Sequence, residues 1–158
     1  MGIVSNTPIK SLKVVTAATS NPIAQSEAKE HLRVTTSDED SYITNLITAA
    51  TQMAENYTNS YFIDTTLRMD FSYFPPGEFR LYGGRINSLT HIKYYDSDNS
   101  LTTWAADNYN VNLNAEPCLV TYSSTSTVPN IYLRSDSVQA TYVSGYGSSA
   151  SDVPMSIR

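Results

Sequence analysis

The clearest hydrophobic pattern in the chain is a helical one, between residues 38 and 59. Apolar residues recur at i, i+3, i+4, i+7, i+11 and i+14, the spacing of one face of an α-helix; they are Ile43, Leu46, Ile47, Ala50, Ala54 and Tyr57. Ser37 and the run Asp38-Glu39-Asp40 precede them, as a capping side chain and a first turn of carboxylates. The pattern predicts a long amphipathic helix that ends near Tyr57, with Thr58-Asn59 as its stop.

The other face of this predicted helix is polar but almost uncharged. It consists of Thr44, Asn45, Thr48, Thr51, Gln52 and Glu55. A solvent-exposed helix face usually carries Lys and Glu, so this composition favours contact with another surface. The alternative is a Thr-rich face that is simply exposed to solvent. We therefore predict that these six residues, together with the strand tyrosines Tyr94 and Tyr95, form an interface between subunits.

The segments before this helix are a polar arm and a second, shorter helix. Residues 1–25 are rich in Ser, Thr and Asn, are broken by Pro8 and Pro22, and contain one predicted strand at Leu12–Val15. Ser26 is the predicted cap of a helix over Glu27–Leu32. The arm matches no motif, and we expect it to become ordered only in an assembly. Residues 26–60 are thus the predicted helical part.

After residue 60 the hydrophobic period changes from 3.6 to 2, which is typical of strands. Pro75-Pro76-Gly77 separates the first alternating run from its predicted partner strand at Phe79 and Leu81. The predicted strands are Leu67–Tyr73, Phe79–Leu81, Leu89–Tyr95, Tyr109–Leu113, Cys118–Tyr122, Ile131–Arg134 and Val138–Ser144. The predicted fold is α+β: the two helices, then an antiparallel β-sandwich or small barrel of six to seven short strands over residues 61–158, in one compact unit with residues 26–60.

Composition narrows the function classes. Fifteen acidic against ten basic residues give a net charge of -5, so no overall positive field holds nucleic acid by counterion release. Only 16% of residues are charged, and there are twelve tyrosines, which suit surfaces buried on assembly but also ordinary strand faces. No apolar run reaches 18 residues and no signal peptide is evident, so we expect a soluble protein without membrane contact that is made in the cytosol.

Candidate chemistry is sparse. The one cysteine, Cys118, lies in an apolar run and is predicted to be a buried, inert thiol. His31 and His91 lack a nucleophile motif around them, and with one Cys they cannot supply a zinc site. The run Asp96–Ser100 has the oxygen spacing of a calcium loop but not its glycine, and a β-turn explains it better. We predict no catalytic residue, no cofactor and no metal, and hence no enzyme.

Several segments, taken in order, resemble a known family. They are Ser26–Val34, the acidic cap Ser37–Asp40 with the helix behind it, Ile92-Lys93-Tyr94-Tyr95-Asp96, Tyr109-x-Val111, Ala140–Gly147, and Val153-Pro154 with Ile157. The order resembles the head–tail connector (adaptor) proteins of long-tailed bacteriophages, and it spans residues 26 to 157.

The resemblance implies a structural subunit of the virion neck. Such a subunit forms a homo-oligomeric ring, usually a dodecamer, beneath the portal protein; the ring extends the DNA channel without reading sequence and docks a stopper or tail-completion protein. Two alternatives remain open: another subunit of the tail machinery, such as a stopper or tail terminator, and a carbohydrate- or ligand-binding β-module. In the β-module, Tyr94, Tyr95, Trp104 and Tyr109 would line the groove.

Overall fold

The structure, a computed structural model, describes residues 9–158. The predicted arm residues 1–8 lie outside this range, and within it the side chain of Lys10 is not described. Two α-helices are present in the described range, α1 (Gln25–Leu32) and α2 (Asp40–Thr58), with short 3-10 turns at Ala106–Asn108 and Ala150–Asp152. The eight strands found there are β1 (Ile9–Thr16), β2 (Thr65–Phe71), β3 (Glu78–Arg80), β4 (Ile86–Tyr95), β5 (Leu101–Trp104), β6 (Tyr109–Asn112), β7 (Leu119–Tyr122) and β8 (Val138–Ser144).

The strands form two antiparallel sheets that share one core. The larger sheet has the order β1-β2-β8-β4-β5 and the smaller one the order β3-β7-β6. Leu67, Phe71 and Tyr142 of the larger sheet are fully buried, and Phe79 and Val120 of the smaller sheet join the same apolar cluster. The predicted α+β class with antiparallel strands is confirmed. In the described part of the chain neither sheet closes on itself, because each has two edge strands.

The partner predicted for the first β-run was wrong. β3 pairs with β7 and not with β2, because β2 already has β1 on one side and β8 on the other. β1 contains the strand predicted at Leu12–Val15 and is longer at both ends. Residues 9–16 of the predicted arm are thus one edge of the larger sheet.

Two other strand predictions also need correction. Ile131–Arg134 is not a strand: Tyr132 donates a single backbone hydrogen bond of 2.9 Å to Tyr95, and no ladder forms. β6 ends at Asn112 rather than at Leu113, because the Asn112 side chain accepts the backbone N–H of Asn114 at 3.1 Å and turns the chain.

Both predicted helices are confirmed, but neither predicted cap is. The residue that precedes α1 is Ala24, and the one that precedes α2 is Glu39; neither makes a side-chain capping bond. Ser26 lies inside α1, whose first residue, Gln25, is fixed from α2: its side-chain amide donates to the Asp40 carbonyl at 2.7 Å and to Thr44 at 2.8 Å. The C-terminal end of α2 is as predicted, with Asn59 in the left-handed conformation.

The helices lie at the end of the larger sheet where β2 and β4 begin and β8 ends. Glu55 of α2 accepts the backbone N–H of Phe62 at 2.9 Å, and Tyr61 donates its N–H to Gly83. Ala54 of α2 packs against the small cluster of Phe62, Ile63 and Val153. The opposite end of the sheet carries the end of β4, the start of β5 and the start of β8.

Candidate assembly surfaces

The face of α2 that points into the protein is the polar one. Thr44, Thr48 and Thr51 are half-buried, and each hydroxyl donates to the carbonyl four residues earlier, at 2.8–3.0 Å. The side-chain amide of Asn21 also donates to the Thr48 hydroxyl, at 3.1 Å. The three hydroxyls therefore have partners within the chain, in part along the helix itself, and can be half-buried without contacting water.

The opposite face of α2 is apolar and exposed, and we call it the α2 stripe. The stripe consists of Tyr42, Leu46, Ala49, Ala50, Met53 and Tyr57. At 100° per residue they occupy an arc of roughly 100° on the side away from Thr44 and Glu55. The exposed fractions are 64% for Tyr42, 50% for Leu46, 76% for Met53 and 89% for Tyr57. No charged residue occurs between Asp40 and Glu55.

This orientation corrects the stripe that the sequence predicted. Of the six apolar residues at helical spacing, Ile43 and Ile47 are buried and Ala54 is half-buried, whereas Leu46, Ala50 and Tyr57 are exposed. The apolar pattern in the sequence thus combines residues from two adjoining faces of α2. One apolar edge packs on the protein beside the threonines, and the rest faces outward.

A second apolar surface surrounds Tyr95, at the end of β4, and we call it the Tyr95 surface. It consists of Tyr95, Leu101, Tyr132, Leu133 and Arg134. Leu101 lies opposite Tyr95 in the β4–β5 pair, and Tyr132 is bonded to the Tyr95 carbonyl. Leu133 is 81% exposed, and Leu101 and Tyr132 are each nearly half exposed. The Arg134 guanidinium lies 3.8 Å from the centre of the Tyr95 ring, in a cation–π contact.

The positive charge of Arg134 on the Tyr95 surface is paired locally. Arg134 donates to Asp136 at 2.7 Å and to Asn99 at 3.2 Å. Burial raises the pKa of Asp136, but the hydrogen bond and the charge of Arg134 outweigh it, so that the pKa is lowered overall. The backbone N–H of Ser100, with the hydroxyl of Thr102 and the N–H of Asp98, lowers the pKa of Asp96 despite its desolvation. The predicted β-turn over Asp96–Ser100 is confirmed. The Asp96 carboxylate accepts the backbone N–H groups of Asp98 and Ser100 within this turn.

The residues predicted to form an interface are thus separated by the structure. Thr44, Thr48, Thr51 and Glu55 are engaged within the chain, whereas Asn45 and Gln52 are exposed between the buried face and the α2 stripe. Tyr94 packs inward on Phe74, with ring centres 5.7 Å apart, and Tyr95 points to the other side of β4. The α2 stripe was missed because apolar residues at helical spacing were assigned to the core.

Three of the four aromatic residues suspected of lining a ligand groove, Tyr94, Trp104 and Tyr109, belong to the core or pack against it, whereas Tyr95 lies on the other side of β4. Trp104 is 4% exposed and contacts Phe74, Tyr109 and Tyr122, at ring-centre distances of 4.8, 5.5 and 5.2 Å. Burial raises the pKa of Tyr109 and of Tyr122 above the usual value of 10. A ring that is stacked on three neighbours in this way is not presented to a sugar or other ligand.

Elsewhere the described residues offer little reactive chemistry. Cys118 is 2% exposed, and burial raises the pKa of its thiol, as predicted. Residues 9–158 contain no group of three potential metal ligands. An open groove of about 1010 Å³ lies between Leu12 of β1, the end of α2 and the loop around Tyr82, and its lining includes neither of the histidines nor Cys118. Within the same range, none of the helices has the length and apolar character needed to cross a membrane.

Comparison with known structures identifies similar folds in phage-like particles. One similar chain belongs to the neck of an empty gene transfer agent (GTA) particle computed with C6 symmetry; it is 19% identical, with a TM-score of 0.73 over 92% of this chain and 76% of that one. A second comes from the virion of a native GTA particle; it is 20% identical, with a TM-score of 0.73 over the same shares of the two chains. A third comes from the neck of a native GTA particle computed with C12 symmetry; it is 18% identical, with a TM-score of 0.70 over 92% of this chain and 75% of that one. These likenesses show a shared fold.

Curated protein sequences give no significant match. A family model does match: residues 25–116, more than half of the chain, fit the model of the phage gp6-like head-tail connector protein. The matched segment runs from the first residue of α1 through α2 and onward to Glu116, just before β7, and so includes the α2 stripe together with Tyr95 and Leu101 of the Tyr95 surface. The chain therefore belongs to the family of phage gp6-like head-tail connector proteins, a family of structural neck subunits.

Proposed function

We propose that this connector works as one subunit of a homo-oligomeric ring that lies beneath the portal, extends the DNA channel and docks the next protein of the tail. The observation that carries the proposal is the family match over residues 25–116. The described surface supports it, since a lone globular subunit has no need of an uncharged apolar helix face. One similar GTA chain comes from a neck computed with C12 symmetry and another from a neck computed with C6 symmetry; the first supports a ring of twelve copies, and the second is compatible with it.

A structural rather than an enzymatic role follows from the same features. Three groups that could take part in chemistry are engaged within the fold: Cys118 is buried, Asp96 is held by its turn, and Asp136 is paired with Arg134. The net charge of -5 suits a channel wall along which DNA slides without being held. We propose accordingly that the ring binds no DNA sequence and performs no reaction.

Native mass spectrometry and negative-stain imaging of the purified chain, alone and mixed with its portal, test this function. The proposal predicts rings whose mass is a multiple of the 17.4 kDa subunit, at least when the portal is present. A chain that stays monomeric in both samples and does not bind the portal would refute it. A ring that caps a tail tube but ignores the portal would point instead to a tail terminator.

A further inference from the structure

The two apolar surfaces lie at opposite ends of the molecule. α2 is joined to the end of the larger sheet where β2 and β4 begin, through the Glu55–Phe62 bond and the contact of Tyr61 with Gly83. The Tyr95 surface is at the other end of β4. β4 contains ten residues, so at about 3.3 Å per residue the two ends are roughly 30 Å apart.

Two different surfaces at opposite ends are what a closed ring of identical subunits requires. In a two-fold dimer one patch meets its own copy, whereas in a ring of higher order each subunit uses one patch on its leading side and a different patch on its trailing side. A single apolar patch would leave half of every ring contact without a counterpart. The α2 stripe and the Tyr95 surface together supply both halves.

The composition of both surfaces favours a second copy of this chain as the occupant. The subunit is acidic, with a net charge of -5, so copies repel one another wherever their carboxylates approach. The α2 stripe carries no charge between Asp40 and Glu55, and the charge of Arg134 on the Tyr95 surface is paired with Asp136. Contact between the residues of these two surfaces therefore brings no like charges together.

The available area is close to what such a contact needs. A fully exposed large side chain offers about 200 Å², so Tyr42, Leu46, Met53 and Tyr57 with exposed fractions of 50% to 89% leave about 550 Å² uncovered. By the same reasoning Leu101, Tyr132 and Leu133 leave about 350 Å². The total of roughly 900 Å², before any polar neighbour is counted, approaches the ~1,000 Å² expected of a specific interface.

We infer that, in the ring proposed above, the α2 stripe of one subunit packs against the Tyr95 surface of the next. This inference rests on the proposed function and adds the two faces that meet. Met53 and Tyr57 are the most exposed residues of the stripe and Leu133 is the most exposed residue of the Tyr95 surface, so these three form the centre of the contact. Asn45 and Gln52, which belong to the interface predicted from the sequence, then lie at its polar rim.

Site-directed cross-linking tests which faces meet. In the double variant Met53→Cys with Leu133→Cys, treated with a short bis-maleimide after assembly on the portal, we expect a ladder of covalent oligomers that extends to the full ring. Either single variant should stay monomeric on a denaturing gel, and native Cys118 does not react because it is buried. Both positions are highly exposed, so neither change disturbs the subunit fold.

Two outcomes would refute the packing of the α2 stripe on the Tyr95 surface while leaving the proposed ring intact. One is a ring that assembles normally but gives no ladder; another is a covalent dimer from Met53→Cys alone, which means that two α2 stripes meet. If instead the wild-type chain forms no ring at all with its portal, the proposed function itself fails.

A charge at the centre of the contact gives an independent test. Met53→Arg should abolish rings and leave a folded monomer, because it buries an unpaired charge. Gln52→Arg is the matched control on the same helix, at the rim, and should still form rings. Rings from Met53→Arg that no longer bind the portal would assign the stripe to the portal and refute the inference, as would loss of rings in Gln52→Arg alone.

Discussion

Removing the carboxylate of Glu55 tests the orientation of α2 without reference to assembly. Glu55 accepts the backbone N–H of Phe62, which is 8% exposed. Glu55→Ala leaves this donor without a partner, at a cost of about 1–3 kcal/mol. Two smaller effects oppose this cost: alanine is the better helix former, by a few tenths of a kcal/mol, and a carboxylate near a helix C-terminus is unfavourable by about 0.3–1 kcal/mol. The net loss of stability should be about 1 kcal/mol and at most about 2.5 kcal/mol.

The matched variant, Glu55→Gln, keeps a side-chain oxygen at the same place and removes the charge. It should change the free energy of unfolding by less than about 0.5–1 kcal/mol, because two effects oppose each other. The neutral oxygen is a weaker acceptor, but a negative charge near the helix C-terminus, which is unfavourable there, is removed. The carboxylate of Glu55 also contributes, after burial, to raising the pKa of Tyr61. Both variants should therefore lower the pKa of Tyr61, although burial keeps it above 10.

Urea unfolding followed by the fluorescence of Trp104, the one tryptophan, gives the free energies. The measurement is repeated over a range of protein concentrations to show that the midpoint belongs to the monomer. If Glu55 faced outward, as the sequence predicted, Glu55→Ala and Glu55→Gln would be equally stable. A difference between them below about 0.5 kcal/mol would refute the inward orientation of Glu55.

Two further predictions concern α2 and the larger sheet. Ile43→Ala should destabilise the monomer by about 2–5 kcal/mol, whereas Leu46→Ala, on the exposed stripe of the same helix, should cost less than about 1 kcal/mol in urea unfolding; equal losses would contradict the assignment of faces. Burial and then the charge of Lys93 lower the pKa of His91 below 6.5, so stability should be fully present above pH 6.5 and be lost as the pH falls towards the folded-state pKa. His91→Gln should have a flatter urea-midpoint profile between pH 7.5 and 5 than the wild type, and parallel profiles would rule out a role for His91.

Local signals accounted for most of the element positions. The end of α2 at Asn59 and the turn over Asp96–Ser100 were predicted because Asn and Asp have specific short-range roles there. The strands β2, β3 and β6 were found from period-2 alternation, and β4, β7 and β8 as short segments between turn signals. β5 was missed: it has four residues directly after a turn, too few for alternation to be visible.

Pairing between strands was less predictable than the strands themselves. Alternation in β2 and β3 shows that each has an inner and an outer face, but it does not say which neighbour lies beside it. The edges of β2 are taken by β1, 50 residues or more away in sequence, and by β8 near the end of the chain. A pairing of that range depends on the complete core, where Phe71 meets Phe79 with ring centres 5.1 Å apart, across two sheets rather than within one.

The orientation of α2 shows where a hydrophobic pattern stops being informative. An apolar stripe indicates that one face of a helix is shielded from water. The shielding can come from a neighbouring subunit as well as from the core of the same chain. Polarity was equally ambiguous, because a threonine whose hydroxyl bonds a carbonyl of its own helix can be buried at little cost. The discriminating signal was the stretch without charge between Asp40 and Glu55. A helix with one buried face and one solvated face would carry charge on the solvated one, and α2 has neither Lys nor Arg anywhere along its length. Its missing charges are what the proposed ring requires, in which one face of α2 is covered by its own chain and the other by the neighbouring subunit.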